Sequence, residues 1–445
     1  MTTTSSSSRF NFPIDRDAIW AIALPAMLTN VATALIGIGD MWIVGRLEDA
    51  ATQGAVDVGA RLFAMLFTVM NFLKTGTTGL VAQSGTREGV AAQHATLLRG
   101  LAIGLGIAAL LLIAKPVFLP VLLSVLGAQG DVLGAAQTYA EIRYWSAPGV
   151  MLNLALIGYM VGRRQMKAVL LFEVGYNALN VGLGLWFVLV MDFGIAGVGW
   201  SSFIAEYAKL LVVGLFVWRG APGLVNTLRT TAVLRWASLK PFLSVNRDLF
   251  LRTVILMIAL AALTRLSAER GPAVLAANGI LYQMFVFTAL LLDGFENAAQ
   301  VLNGERLGEK DRAGFVAYVK AILTRSLGAA ALVAFVFLLL ADPVLASFAA
   351  TDDVRRIAQD NAFWLAIIPF AGVAGFVFDG VYVGASWTRA LLATMAVAAT
   401  VFALALWSTW EWGNTGLWFS FTLFLVSRAL LQLALIPRLV ARTFA

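Results

Sequence analysis

The sequence predicts an all-α, polytopic membrane protein with about twelve transmembrane helices. Three observations support this fold class: 60% of the 445 residues are hydrophobic, only 13% are charged, and the mean hydropathy is +0.84. A soluble chain carries roughly 25% charged residues, enough to cover a surface in water. Because this chain has about half that share, we expect the lipid bilayer to surround most of its surface.

Apolar stretches long enough to span a bilayer recur along the whole chain. A transmembrane helix needs about 20 mostly apolar residues, at a rise of about 1.5 Å per residue. Several stretches exceed this minimum, so we expect tilt or kinks in those helices. The pattern predicts helices at 17–45, 54–83, 95–123, 132–162, 167–191, 196–218, 248–268, 273–303, 314–341, 354–384, 388–410 and 415–440.

Short motifs recur about 220 residues apart, which indicates an internal repeat. The segment Gly158–Gly162 is echoed by Gly380–Gly384. In the second and eighth predicted helices, Gln83 is echoed by Gln300. An even number of helices in each half means that both halves cross the membrane in the same direction. We therefore expect two six-helix bundles related by a pseudo-two-fold axis along the membrane normal.

Basic residues set the expected orientation. Lysine and arginine are more frequent in the loops that share a side with the N-terminus, and the positive-inside rule assigns that side to the cytoplasm. Both termini are then cytoplasmic, and Arg252 and Arg428 are counted on the same side. The expected organisation is a cytoplasmic tail at 1–16, an N-terminal lobe at 17–219, a cytoplasmic linker at 220–246 and a C-terminal lobe at 247–445.

Residue counts exclude most enzyme chemistry. The chain has no cysteine and one histidine, His94, so disulfides, thiolate metal sites and histidine clusters are excluded. The sequence shows no nucleophile cluster, metal-ligand motif or cofactor motif, and we expect neither an enzyme nor a bound metal or cofactor. The net charge of +7 is typical of basic cytoplasmic loops and does not indicate nucleic-acid binding.

Several motifs together carry a resemblance to a known family. They are Leu24-Pro25, Gly39–Gly45, Phe72–Gln83, Asn177–Asn180, Leu292–Phe295 and Phe378–Gly384. With them the chain resembles the multidrug and toxic compound extrusion (MATE) transporters, in particular the DinF-like branch, over nearly its whole length. The resemblance implies a V-shaped, two-lobed monomer in the bacterial inner membrane. It also implies antiport, in which organic cations or other amphipathic molecules leave the cell in exchange for protons or sodium ions.

Asp40 is the first candidate for binding the coupling ion. It lies in the outer half of the first predicted helix, where an unpaired carboxylate in apolar surroundings favours its neutral form. An interfacial aspartate at the helix end is the structural alternative. In the family this position holds the acid linked to proton coupling. The resemblance also implies that Asn180 and Tyr139 belong to the polar network around it.

One position departs from the family pattern. Many relatives carry a second acid one turn after the asparagine, where this chain has Gly184. Glu206, in the middle of the sixth predicted helix, is the candidate substitute for that acid. Two alternatives stay open, because either Lys209, one turn away, or Lys74 in the second helix could hold the charge of Glu206 in a structural ion pair.

Other polar residues in the apolar helices are candidates for a substrate cavity, because intramembrane charges are costly and mark functional sites. They are Asn153, Lys74, Asp293 and Asp379. Glu296 lies on the same predicted helix as Asp293. For each of these residues, an interhelical hydrogen bond or ion pair is the structural alternative.

The sequence favours a proton-coupled antiporter over two other functions. A flippase for lipid-linked precursors, a function of the wider superfamily, would be expected to have a basic central cavity, whereas the clearest intramembrane residue here is acidic. Sodium coupling needs several oxygen ligands that converge on one ion, and Gly184 removes one of them. The acids of the C-terminal half keep sodium coupling open as an alternative.

Overall fold

The computed structural model describes residues 15–44, 50–126, 129–229, 233–349 and 351–445. For residues 35–44, 50–54, 56, 57, 131, 344 and 346 it describes the backbone alone. Within these ranges the regular secondary structure is helical, as expected for a chain in lipid, where a helix satisfies its own backbone polar groups.

The N-terminal half is built from long helices joined by short turns. These are α1 (Arg16–Val44), α2 (Ala50–Met70), α3 (Phe72–Arg87), α4 (Val90–Val125), α5 (Gly130–Tyr144), α6 (Ala147–Gly162), α7 (Met166–Leu185) and α8 (Gly194–Gly220). A π-helical turn at Trp186–Val190 continues α7.

The C-terminal half repeats this pattern after a short connecting segment. Its helices are α9 (Leu224–Arg229), α10 (Trp236–Glu269), α11 (Pro272–Gly308), α12 (Arg312–Phe348), α13 (Asp352–Asp360), α14 (Phe363–Gly384), α15 (Thr388–Ser408) and α16 (Gly413–Thr443). The segment at 220–246, expected from the sequence to be a linker, therefore contains α9 and the first turns of α10.

The expected fold class is confirmed. Within the described ranges, 11 helical segments are long and apolar enough to cross a membrane. Counted as one span, the pair α5 and α6, which is bent by 50° at its junction, brings the number to 12. The packing of α1 and α3 against α11 brings the two halves into contact.

Three predicted helices are each divided in two. The stretch 54–83 consists of α2 and α3, the stretch 132–162 of α5 and α6, and the stretch 354–384 of α13 and α14. Pro148 lies in the first turn of α6, where its missing N–H is tolerated and its fixed φ suits a helix start. Hydropathy did not predict the first two breaks, because apolar residues continue close to those junctions. The third predicted helix began too early, since α13 is polar.

The backbone of the two halves repeats with an offset of 222 residues. Arg164 and Ser386 are 222 positions apart, and both adopt a left-handed conformation, with φ of 59° and 56°. The residue after each closes the turn in the same way. Gln165 donates its N–H to the carbonyl of Met160, and Trp387 donates to the carbonyl of Tyr382. The turn after α6 and the turn after α14 are therefore equivalent.

Close helix contacts follow the same offset. A Cβ atom at Gly158 of α6 would lie 2.6 Å from the carbonyl oxygen of Lys74, and a Cβ at Gly380 of α14 would clash with the carbonyl oxygen of Glu296. Glycine at both positions lets α6 approach α3 and lets α14 approach α11. Lys74 therefore corresponds to Glu296.

This correspondence corrects one sequence-based pairing. With an offset of 222, Gln83 corresponds to Glu305, so its pairing with Gln300 is wrong by five positions. The shared Ala-Gln dipeptide misled the alignment, because two residues carry too little information to fix a helix register.

The contact between the lobes obeys the same symmetry. Gln83 of α3 donates to the hydroxyl of Ser386 at 2.7 Å, and Arg164 donates to Glu305 of α11 at 2.7 Å. Since Gln83 corresponds to Glu305 and Arg164 to Ser386, these are two copies of one contact. The pseudo-two-fold axis therefore passes between them, as at the interface of a symmetric dimer.

Candidate functional site

Glu206 is the buried acid of the N-terminal lobe. It lies in the middle of α8 and is 7% exposed. Asn153 of α6 donates from Nδ2 to Glu206 Oε1 at 2.6 Å and to the Glu206 carbonyl at 3.1 Å. Gly149, one turn before Asn153, provides the space, since a Cβ there would lie 3.1 Å from the Glu206 Cγ. An amide on α6 thus holds the carboxylate.

Further buried amides lie on α7. Asn180 donates to the hydroxyl of Ser202 on α8 at 3.3 Å. The Oδ1 atoms of Asn153 and Asn180 and both side-chain polar atoms of Asn177 have no hydrogen-bond partner in the described structure. An unsatisfied buried polar atom costs about 1–3 kcal/mol. The three Oδ1 atoms among them are therefore acceptors that a proton donor or a cation can satisfy.

Tyr139 of α5 belongs to a separate contact in the same lobe. Its buried hydroxyl accepts a hydrogen bond from Arg143, whose guanidinium lies 5.1 Å from the ring centroid of Phe63. The membership of Tyr139 in a network with Asn180 around Asp40 stays a prediction, because the Asp40 side chain lies outside the described residues.

Lys209, one turn after Glu206 on α8, forms its salt bridge with a different acid. Lys209 Nζ is 2.7 Å from Glu173 Oε1 on α7 and 4.7 Å from the centroid of the Tyr176 ring. Lys74 is half-buried on α3 and makes no salt bridge with a described side chain. No salt bridge joins Glu206 to either lysine within the described part of the chain.

Asp40 falls within α1, but its side chain lies outside the described residues. Gly184, the position of the missing acid, is buried on α7. The N-terminal cluster that the structure describes therefore consists of Glu206, Asn153 and the neighbouring α7 amides.

Asp379 is the centre of a second cluster in the C-terminal lobe. It is 0% exposed on α14 and accepts a hydrogen bond from Arg252 of α10. Gln432 of α16 donates to its Oδ1 at 2.6 Å, and Arg428 Nη2 lies 3.6 Å from its Oδ2. The hydroxyl of Tyr382 fixes this side of α16 by donating to the Gln432 carbonyl at 2.7 Å. One buried carboxylate thus faces two guanidinium groups.

Arg252 and Arg428 were missed as site residues and misplaced in the cytoplasm. That placement is wrong because they lie in the middle of α10 and α16, where their side chains are largely buried. The Arg428 guanidinium packs against Gly375, where an added Cβ atom would lie 2.8 Å from Nε of Arg428. The same guanidinium lies 5.3 Å from the ring centroid of Phe376. The sequence signal that could have identified them is the presence of two arginines within apolar helices, because such charges need a buried partner.

The remaining candidate acids, Asp293 and Glu296, lie on α11, which contacts the N-terminal lobe. Asp293 Oδ2 accepts hydrogen bonds from Asn30 of α1 at 2.8 Å and from Asn297 at 3.0 Å. Asn30 therefore connects the two lobes at this acid. Glu296 is half-buried and makes no hydrogen bond or salt bridge through its carboxylate with a described side chain.

Comparison with known proteins places this geometry in a family. The MatE family model matches residues 25–186 and 249–407, which fall in both lobes. DNA damage-inducible protein F of Escherichia coli (strain K12) is 32% identical over 414 residues, which are 93% of this chain and 90% of that protein. Multidrug export protein MepA of Staphylococcus aureus is 22% identical over 62% of this chain and 61% of its own length.

Solved structures share the fold. A MATE protein in the bent conformation superposes with a TM-score of 0.84, covering 96% of this chain and 96% of its own, at 17% sequence identity. At this identity the likeness shows the two-lobed arrangement of helices alone.

Proposed function

The chain belongs to the MatE family, and from this premise we propose that it exports cationic or amphipathic small molecules by proton-coupled antiport. The name of the Staphylococcus aureus relative, a multidrug export protein, supports export of more than one compound. We place the protein as a monomer in the bacterial inner membrane. Both termini lie in the cytoplasm in this proposal, because basic loop residues predominate on their side.

The observation that carries proton coupling is the difference in charge pairing between the lobes. Glu206 is buried, accepts a hydrogen bond from an amide and makes no salt bridge with a described side chain. Intramembrane carboxylates of this kind serve as proton carriers in transporters. Asp379, in contrast, already has Arg252 and Arg428 as cations of the protein itself. A sodium ion at Asp379 would have to displace a guanidinium.

We assign the coupling proton to the N-terminal lobe, at Asp40 and Glu206. Asn153 holds Glu206, and Asn180 supplies a buried acceptor on the neighbouring helix. In this scheme Glu206 of α8 takes the role that Gly184 of α7 cannot perform. Tyr139 contributes through its contact with Arg143.

The substrate path in this proposal follows the cleft between the lobes. Asp293 and Glu296 are half-buried acids on α11, and Asn30 reaches Asp293 from the other lobe. Acids along this path favour cationic substrates by charge complementarity. Lys74, at the corresponding position of α3, balances part of this charge.

Antiport requires the cleft to open to one side at a time. Arg164 with Glu305 and Gln83 with Ser386 join the lobes at one end. Thr86 adds a third link by donating to the Glu305 carbonyl at 3.0 Å. We take this end as the cytoplasmic side, so that the structure represents an outward-open state.

Sodium coupling is the second candidate, and one observation favours it. Asp293 accepts hydrogen bonds from Nδ2 of Asn30 and of Asn297, so a carboxylate and two side-chain amides lie close together on α1 and α11. If both amides rotated, their Oδ1 atoms would join the carboxylate as oxygen ligands of the kind that bind a hard cation.

A transport assay separates these functions. The purified protein would be reconstituted in liposomes loaded with ethidium, and efflux followed under an imposed pH gradient or an imposed sodium gradient at clamped pH. The proposal expects efflux with the pH gradient alone. Efflux that follows the sodium gradient and ignores pH would favour the second candidate. Absence of efflux under both gradients would contradict antiport.

A further inference from the structure

A groove lies on the outer surface of the N-terminal lobe, where α7 meets α8. It encloses about 480 Å³ and opens at the end where α7 begins and α8 ends. Nothing in the proposed ion pathway uses it, since Glu206 and the amides of α7 do not line it. The lining residues are Tyr159, Arg163, Gln165, Phe172, Val212, Leu215, Phe216, Val217, Arg219 and Gly220.

The mouth of the groove is basic. Arg163 lies in the turn after α6, and Arg219 lies in the last turn of α8. Arg163 donates to the hydroxyl of the buried Tyr159 and stacks over its ring at 5.3 Å, which fixes the direction of its guanidinium. None of the lining residues, all of which are described, is acidic. The mouth therefore presents two positive charges without a neutralising carboxylate.

The wall of the groove is apolar and open to the surroundings. Val212, Leu215 and Phe216 of α8 are 54%, 49% and 40% exposed. Phe172 of α7 meets the ring of Phe216 edge-on, with centroids 5.2 Å apart. Arg219 lies seven residues after Val212 on α8, which is a rise of about 10 Å along the helix. This distance is comparable to the depth from a lipid phosphate into the first part of its acyl chains.

We propose that this groove binds one anionic phospholipid from the leaflet at this end of the protein. The phosphate lies between Arg163 and Arg219, and one acyl chain follows Phe172 and Phe216 toward Val212. Charge complementarity selects the anionic headgroup, because basic pockets between helices at a membrane surface bind anionic lipid headgroups. The exposed apolar wall selects a lipid over a soluble phosphate, since the latter would leave that wall uncovered.

Native mass spectrometry of the detergent-solubilised full chain tests the proposal. The protein would be incubated with equal amounts of phosphatidylglycerol and phosphatidylcholine, and bound lipid would be counted. We expect selective retention of one phosphatidylglycerol. Arg219→Gln should weaken its binding about fivefold, the equivalent of about 1 kcal/mol, and Arg163→Gln by a similar factor.

Arg229→Gln is the matched control, because Arg229 is exposed in α9 near the same end and does not line the groove. It should leave lipid retention unchanged. Glycerol phosphate, which has the headgroup charge without acyl chains, should not displace the lipid. Equal retention of both lipids, equal weakening by Arg229→Gln, or displacement by glycerol phosphate would each overturn the proposal. Because Arg163 also holds Tyr159, the exposed Arg219 provides the variant that tests binding without disturbing packing.

Discussion

The two lobes carry opposite charges at corresponding positions of one repeated backbone. Lys74 on α3 corresponds to Glu296 on α11, and Glu206 on α8 corresponds to Arg428 on α16, each pair being 222 residues apart. The helix contacts agree with this register. Asn153 donates a hydrogen bond to Glu206, and Gly375, which corresponds to Asn153, packs against Arg428.

The difference shows how one fold separates two electrostatic roles. In the C-terminal lobe Asp379 compensates the buried guanidinium groups, and its N-terminal counterpart is the apolar Ile157. Among the described side chains, Glu206 thus makes no salt bridge, whereas Asp379 lies beside two guanidinium groups. Under the proposed function, the first arrangement lets Glu206 carry the coupling proton. The second arrangement compensates the buried charges of its lobe within the protein.

The strongest way to test the comparison is to remove the acid of the C-terminal lobe. Asp379→Asn keeps the side-chain shape but leaves two buried guanidinium groups without a counter-charge. We expect the free energy of unfolding to fall by about 3–5 kcal/mol, the usual effect of breaking a buried ion pair. Denaturation of the detergent-solubilised protein would measure this loss.

The control is Asp353→Asn on α13. Asp353 pairs with Arg356 at the surface, where both side chains are 73% exposed, so its loss should change stability by at most about 1 kcal/mol. Adding Arg252→Met to Asp379→Asn should restore much of the stability. Equal stability of Asp379→Asn and Asp353→Asn would show that the cluster is not charge-compensated as described.

The second test contrasts two acids of the N-terminal lobe. Glu206→Gln keeps the hydrogen bond with Asn153 and should fold normally, yet proton-driven efflux should fall to the level of empty liposomes. Glu173→Gln removes the partner of Lys209 and should lower stability while the remaining folded protein still transports. Efflux and melting temperature would be measured for both variants. Wild-type efflux by Glu206→Gln would remove this acid from coupling.

The third test concerns the contact that the pseudo-two-fold axis duplicates. Arg164→Ala breaks the salt bridge to Glu305 and should weaken the closed end by roughly 1 kcal/mol, since the pair is partly exposed. The population of the opposite state should rise accordingly. Because the chain has no cysteine, spin labels at Thr138→Cys and Ala268→Cys can report the distance between the other ends of the lobes.

We expect a second, shorter distance to gain population in Arg164→Ala and no change in the control Arg356→Ala, whose ion pair lies within α13. An unchanged distance distribution in Arg164→Ala would mean that the contact does not control the closed end.

The smallest effect is expected at Lys74. This lysine is half-buried and has no described salt-bridge partner, unlike Arg428 in the other lobe. Lys74→Met should therefore alter stability by no more than about 0.5 kcal/mol. A loss of several kcal/mol on denaturation would indicate that Lys74 compensates a buried acid after all.

The sequence predicted the spans well, because their signal is the length of apolar stretches. It did not predict the breaks within α2–α3 and α5–α6, since hydropathy is insensitive to one or two residues of altered backbone. It also extended the span of α14 over the polar α13. The register of the repeat was correct around Gly162 and Gly384, where glycine is required for close packing. It was wrong at Gln83, where no such constraint marks the sequence.

For the sites, the sequence identified acids but not their partners. Asp379 and Glu206 were singled out because intramembrane charge is rare. Their environments depend on contacts between residues far apart in the chain, such as Arg252 with Asp379 and Asn153 with Glu206. Arg252 and Arg428 were assigned to the cytoplasm because a count of basic residues does not consider whether a buried acid pairs with them. Asp40 remains a prediction.

Proton release on substrate binding tests the central claim most directly. Tetraphenylphosphonium would be added to the detergent-solubilised protein in weakly buffered solution, and a pH indicator would report the protons released. The wild type should release protons, Glu206→Gln should release fewer, and Asp379→Asn with Arg252→Met should release as many as the wild type. Full release by Glu206→Gln, or its loss in the C-terminal double variant, would contradict the assignment of coupling to the N-terminal lobe.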